Sequence, residues 1–169
     1  MPRPQATDFP NYFARYISRV EADSLSAAVK AYAKPLEDFY VNLPEAKAEY
    51  RYAPGKWTIK ELLQHIVDTE RIMSYRLLRI SRGDKTPLAS FDEDSYAAAS
   101  NANTRSLDSI KEEFIAVRKA TDILIASLTE EQLASEGVAS NLPVTANAVG
   151  YIVFGHMLHH KGVLEEKYL

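Results

Sequence analysis

The 169-residue sequence contains no cysteine. That excludes disulfides, thiolate metal ligands and a cysteine nucleophile, so any transition-metal site must be built from His, Asp or Glu. The same absence fits a reducing, cytoplasmic setting. Excess positive charge is also missing: 20 basic residues face 23 acidic ones, for a net charge of −3. This is not the basic footprint of a dedicated nucleic-acid binder. No apolar run approaches the ~20 residues needed to span a bilayer. Met1 to Val20 mixes Pro, Asp, Asn and Arg without a continuous apolar core, so it reads as neither signal peptide nor membrane anchor. There is no internal repeat and no low-complexity linker. What remains is 46% hydrophobic and 25% charged, the mixture of a single soluble globular domain over residues 1–169.

Hydrophobic spacing predicts helices. The first runs from about Asp23 to Tyr40, with Leu25, Val29, Tyr32 and Leu36 three and four apart, and Pro35 is expected to kink or divide it. Asn42 to Trp57, with two prolines and Gly55, is a loop. The second helix has the clearest start, the capping-box sequence Thr58-Ile59-Lys60-Glu61, and continues to about Ser81 before Gly83. A polar connection from Asp84 to about Arg105, with room for a short helical turn, follows, then a third helix from Ser106 to Ser127. A second capping box, Thr129-Glu130-Glu131-Gln132, opens a short helix, and the fourth long helix runs from Thr145 to the C-terminus. No segment reads as a strand, so the predicted class is all-α.

The connection of roughly 20 residues between the second and third helices is unusually long for a compact domain. An up-down-up-down bundle needs only short loops. An up-down-down-up bundle must return the chain along a helix of ~36 Å, which ~20 extended residues can do. The predicted fold is therefore an up-down-down-up four-helix bundle.

All four histidines fall on the second and fourth helices. His156 and His160, at i and i+4, share a face with Val149, Ile152, Val153, Val163 and Leu164 and so point into the bundle. His65 shares its face with Leu62, Thr69, Ile72 and Ile80. His65 and His160 each lie ~10 Å from a helix end, and antiparallel second and fourth helices would bring them to one level. One topology thus accounts for both the long connection and a convergence of three imidazoles. Buried without a metal, each would need its own hydrogen-bonding partner in an apolar core. His159, off to the side, is the alternative to His160 in an i,i+3 pair.

Two segments carry a family resemblance: Gly55 to Arg71, with Trp57-Thr58-x-x-Glu61-x-x-x-His65, and Gly155 to Gly162, with His156-x-x-His159-His160. In combination they resemble the DinB-like superfamily of metalloenzymes across nearly the whole chain. The resemblance implies an up-down-down-up bundle holding Zn or Ni, or a similar divalent ion, on His65, His156 and His160, and homodimers in many relatives. It also implies a small-molecule substrate and permits two chemistries: transfer of a low-molecular-weight thiol, or hydrolysis.

Three protein ligands leave a coordination position open, as in catalytic zinc sites. Asp68, one turn past His65, is a candidate to orient a ligand imidazole, or else a solvated carboxylate. Arg76 and Arg79 are candidates to bind an anionic substrate or thiol carboxylate, or else edge side chains reaching water. Phe91 to Tyr96 is a candidate to cover the site, but its acidic run reads first as a solvated turn. The competing function is a non-catalytic metal-binding or stress-response scaffold, since no nucleophile-base-orienter triad is legible.

Overall fold

The computed structural model describes residues 1–169. Four long helices make the bundle: α2 (Leu25–Val41), α3 (Ile59–Ser81), α5 (Leu107–Ala126) and α7 (Ala146–Lys167). Shorter pieces are α1 (Ala14–Ile17), α4 (Glu93–Ala99), α6 (Glu130–Ala134) and a hairpin of β1 (Glu136–Ala139) and β2 (Leu142–Thr145). α3 packs on α5 and α7, and α2 packs on the same two, so α2 and α3 lie diagonally across the core.

Cross-helix bonds fix the directions. Arg105 donates to Gln64 Oε1 at 2.8 Å and, farther along both helices, Arg118 to Glu70 at 2.7 Å, so α3 and α5 run parallel. The Tyr168 hydroxyl donates to the Trp57 carbonyl at 2.7 Å, joining the end of α7 to the start of α3, which makes that pair antiparallel. Tyr151 donates to the Ala22 carbonyl at 2.9 Å and Tyr40 to that of Met157 at 2.7 Å, so α2 runs with α7. The order is up-down-down-up, as the long connection predicts.

The start of α3 is fastened twice. Thr58 Oγ1 accepts from the Glu61 amide and the Glu61 carboxylate accepts from the Thr58 amide, the reciprocal capping box. Asn103, from the connection, then bridges both side chains, at 2.8 Å to Thr58 and 2.9 Å to Glu61. This fixes the first turns of α3, where His65 sits.

The connection carries a short helix, α4. Two expectations are corrected. Pro35 does not divide α2: the helix is continuous from Leu25 to Val41. The chain also contains strands. β1 and β2 pair antiparallel with Ala139 opposite Leu142, across a two-residue turn in which Ser140 and Asn141 both have positive φ (53° and 63°). That is the twist-matched hairpin turn, which usually carries Gly or Asn. Gly137 and Pro143 hide it, because both are poor strand residues in sequence. Leu88 extends the pairing by bonding to Val138 and Ser140, so the hairpin anchors the connection over one end of α3.

The N-terminal segment also joins the core. α1 lies against α7 so closely that a Cβ on Gly155 would collide with the Tyr16 carbonyl, which leaves glycine as the residue that fits there. Arg3 holds the end of α1 by donating to the Ile17 carbonyl at 2.7 Å and to that of Val20.

Candidate metal centre

The structure brings His65, His156 and His160 together. One ring nitrogen from each lies within 4.8 Å of the others. His156 Nε2 is 3.0 Å from His65 Nε2 and 3.1 Å from His160 Nε2. His159 stands beside the cluster, edge-on to Tyr16 and His160.

Packing sets the rings. Trp57 covers His65 with ring centroids 4.7 Å apart. Tyr16 meets His156 edge-on at 5.5 Å. Thr69 Oγ1, one turn along α3, lies 3.5 Å from His65 Nδ1.

Electrostatics keeps the cluster neutral. Burial, reinforced by the neighbouring His159, pulls the His65 pKa down to about 4. Burial, then the surrounding histidines, pushes His156 and His160 well below the ordinary imidazole value. The Tyr16 phenol is pushed up to about 12, first by burial, so it stays protonated.

Three neutral imidazoles with converging Nε2 atoms do not satisfy one another. The Nε2 of His156 offers either one N–H or one lone pair, yet it faces two ring nitrogens at once. The buried His160 Nδ1 has no partner either. A cation accepting all three lone pairs resolves the conflict. With metal–nitrogen bonds of ~2.1 Å, ligand atoms stand ~3.0 Å apart at right angles and ~3.4 Å apart at tetrahedral angles, a range that includes the 3.0 and 3.1 Å separations from His156. An all-nitrogen donor set suits a borderline transition metal rather than Mg or Ca.

The cluster opens on one side into a cavity of about 430 Å³. Its floor is a stripe of α3, His65, Thr69, Met73 and Arg76; its walls come from the N-terminal segment and α7; its far end is lined by Phe91, Ser140 and Leu142. Arg76 therefore lies in the site region, buried at 3% exposure. The two other predicted residues do not. Asp68 faces the α3–α4 groove, accepting from Gln64 at 3.0 Å. Arg79 pairs with Asp84 and the Tyr75 hydroxyl, outside the cavity. Sequence reasoning missed Tyr16 and Arg15 of the N-terminal wall. The signal for that wall is Gly155, a small residue beside His156 that admits close backbone approach.

Comparison with known proteins follows the same lines. Residues 31–164 match the model of the DinB superfamily. A protein of Oceanobacillus iheyensis named as a candidate metal-dependent hydrolase is 28% identical over 106 residues, covering 62% of this chain and 60% of that relative's length. YfiT from Bacillus subtilis, described as a probable metal-dependent hydrolase with an unusual four-helix bundle topology, superposes with a TM-score of 0.65. It is 16% identical, over 96% of this chain and 90% of YfiT. A mycothiol-dependent maleylpyruvate isomerase superposes with a TM-score of 0.62 at 14% identity, over 92% of this chain and 60% of that one. At these identities the two structures speak for the fold alone. No helix of the chain is long and apolar enough to cross a membrane.

Proposed function

This chain belongs to the DinB superfamily, and on that footing we propose that it is a divalent-metal-dependent enzyme acting on a small molecule. His65, His156 and His160 are the residues that would hold the ion. The observation that carries the reading is the meeting of three neutral imidazoles, whose Nε2 atoms do not satisfy one another, at the wall of a cavity. A divalent ion bound there would lower the pKa of a coordinated water or thiol toward neutrality, supplying a nucleophile that this cysteine-free chain lacks.

The protein's own residues do the rest. Trp57 and Tyr16 fix the imidazoles and line the approach with aromatic surface, and Met73 and Ile152 exclude water from it. Tyr16 keeps its proton at neutral pH, so its hydroxyl remains available to donate toward a reactant; it accepts in turn from Arg15 at 2.8 Å. Glu93, the one carboxylate of the lining, is exposed and lies with the far-end group. With no buried carboxylate beside the histidines to take a proton, a thiol, which ionises more readily than water, is favoured as the group activated there. Thiol transfer is the second reading that this observation supports, beside hydrolysis.

The test is metal content of the purified, untagged protein and of His65→Ala, His156→Ala and His160→Ala. One equivalent in the parent, lost in each variant, is expected. Turnover that requires an added thiol then separates transfer from hydrolysis. If no ion binds after divalent metals are added back, the proposal fails.

A further inference from the structure

The far end of the cavity contains a buried charge without an ion-pair partner: Glu93, the lining's one carboxylate, is exposed and does not pair with it. Arg76 is 3% exposed, yet it belongs to no ion pair. Its NH2 group donates to the Ala89 carbonyl at 2.6 Å and to Ser140 Oγ at 3.1 Å, and its NH1 reaches only the Met73 sulfur at 3.8 Å. Neutral acceptors orient the guanidinium without balancing it. The contrast is Arg118, equally buried on α5, which bonds both Glu70 and Asp122. Burying an uncompensated cation is costly, and burial accordingly lowers the Arg76 pKa.

Helix geometry aims that charge down the cavity. Arg76 follows His65 by 11 positions, which returns to within about 20° of the same face at a rise of ~16 Å along α3. Thr69 and Met73 fill the stripe between them. Side chains lean toward the helix N-terminus, so Arg76 leans toward the histidines. The walls between the two ends are largely apolar, from Phe13, Trp57 and Ile152.

We propose that Arg76 is the anion-binding end of the substrate site, so that the ligand is an elongated acid with an apolar middle, its carboxylate on Arg76 and its reacting end at the histidine cluster. This rests on the metal-dependent reading for the role of the second end, but the anion site stands on Arg76 itself. A carboxylate offers the two-oxygen partner that guanidinium geometry favours, and it neutralises the buried charge that Ala89 and Ser140 only position.

The test uses ω-mercaptoalkanoates, from hexanoate to undecanoate, against the ω-mercapto alcohols of equal length. Binding to zinc-loaded protein is read by the fluorescence of Trp57, the single tryptophan, which lines the cavity. At the best chain length the acid is expected to bind at least about tenfold more tightly than the alcohol. Arg76→Met should abolish that preference and Arg76→Lys should keep part of it. Should Arg76→Met fail to fold, the acid–alcohol comparison in the parent still decides. Equal binding of acid and alcohol at every length overturns the proposal and leaves Arg76 as a tie between α3, the connection and the hairpin. The same titrations on metal-free protein separate the two readings. A thiol contribution that ignores metal counts against the metal reading alone, and a lost acid preference counts against the anion site alone.

Discussion

Lowering the pH is the sharpest probe of the histidine cluster, because protons and metal compete for the same three nitrogens. For ordinary imidazoles with a pKa of about 6.5, the penalty at about pH 5.5 is a factor of about 11 per ligand, or about a thousandfold for three. In this fold the factors differ. His65 titrates near 4 and the other two are held well below their ordinary value, in each case chiefly by burial. The sign is unambiguous: a depressed pKa moves proton competition to lower pH. At about pH 5.5 a group titrating near 4 is only about 3% protonated, so His65 contributes almost no penalty. The expected result is therefore a zinc affinity that falls far less between pH 7 and about pH 5.5 than ordinary imidazoles would allow, with proton competition at His65 setting in only as pH approaches about 4. The assay is competition against a chromophoric chelator whose own proton affinities are known, at each pH. A loss of about 600-fold between pH 7 and about pH 5.5, the free-imidazole factor corrected for protonation already present at pH 7, would show that the imidazoles are solvated like free histidine and would refute the role of burial.

The other predictions test the same site and its scaffold. Zinc at about a thousandfold excess over its dissociation constant should stabilise the parent by about 4 kcal/mol, raising Tm by about 8–16 °C, with no shift for His156→Ala; an equal shift in that variant would place the ion elsewhere. In metal-free protein, the depressed His65 pKa leaves stability intact above about pH 6.5 and erodes it by about 3 kcal/mol as pH falls to about 4. Urea unfolding across that window should show the decline, and a flat profile would contradict it. In the α3–α5 core, Arg118→Met should cost about 3 kcal/mol or more by leaving Glu70 buried without its partner, while adding Glu70→Leu should recover most of the loss. Additive losses in the double variant would mean that the pair is not coupled.

The bundle was legible because its signals are local and redundant. The reciprocal cap at Thr58 and Glu61 and the 3.6-residue stripes through His65 and His156 each fix one helix and one face, and the structure retains them. Even the topology could be read, since a connection too long for a short turn implies a return along the bundle. The hairpin could not. Its identity depends on positive φ at Ser140 and Asn141 and on pairing with Leu88, some fifty residues upstream, and neither leaves a periodic pattern. Which of its two readings suits Asp68 was hidden for a related reason. It stands about 60° short of the His65 direction, and only the position of α4 reveals that this face turns toward another groove. Arg79 lies about 40° short of the His65 direction but about 21 Å farther along α3, beyond the cavity, and it reaches Asp84.

Up-down-down-up order serves the site in two ways that up-down-up-down order would not. It sets α3 antiparallel to α7, so the first turns of one helix meet the last turns of the other, and imidazoles 91 positions apart come to one level. It also obliges the chain to travel back along the bundle after α3, and the material of that return becomes the far end of the cavity. Phe91 comes from the return itself, and Ala89, which orients Arg76, sits two residues before it. A bundle with short loops would hold the α3 stripe open to solvent at Arg76, where an arginine needs no counter-ion. Closing that end removes water from the guanidinium while supplying only a carbonyl and a hydroxyl in exchange. The long connection thus creates the unbalanced buried charge, and the requirement for an anionic ligand follows from the topology that assembles the histidines.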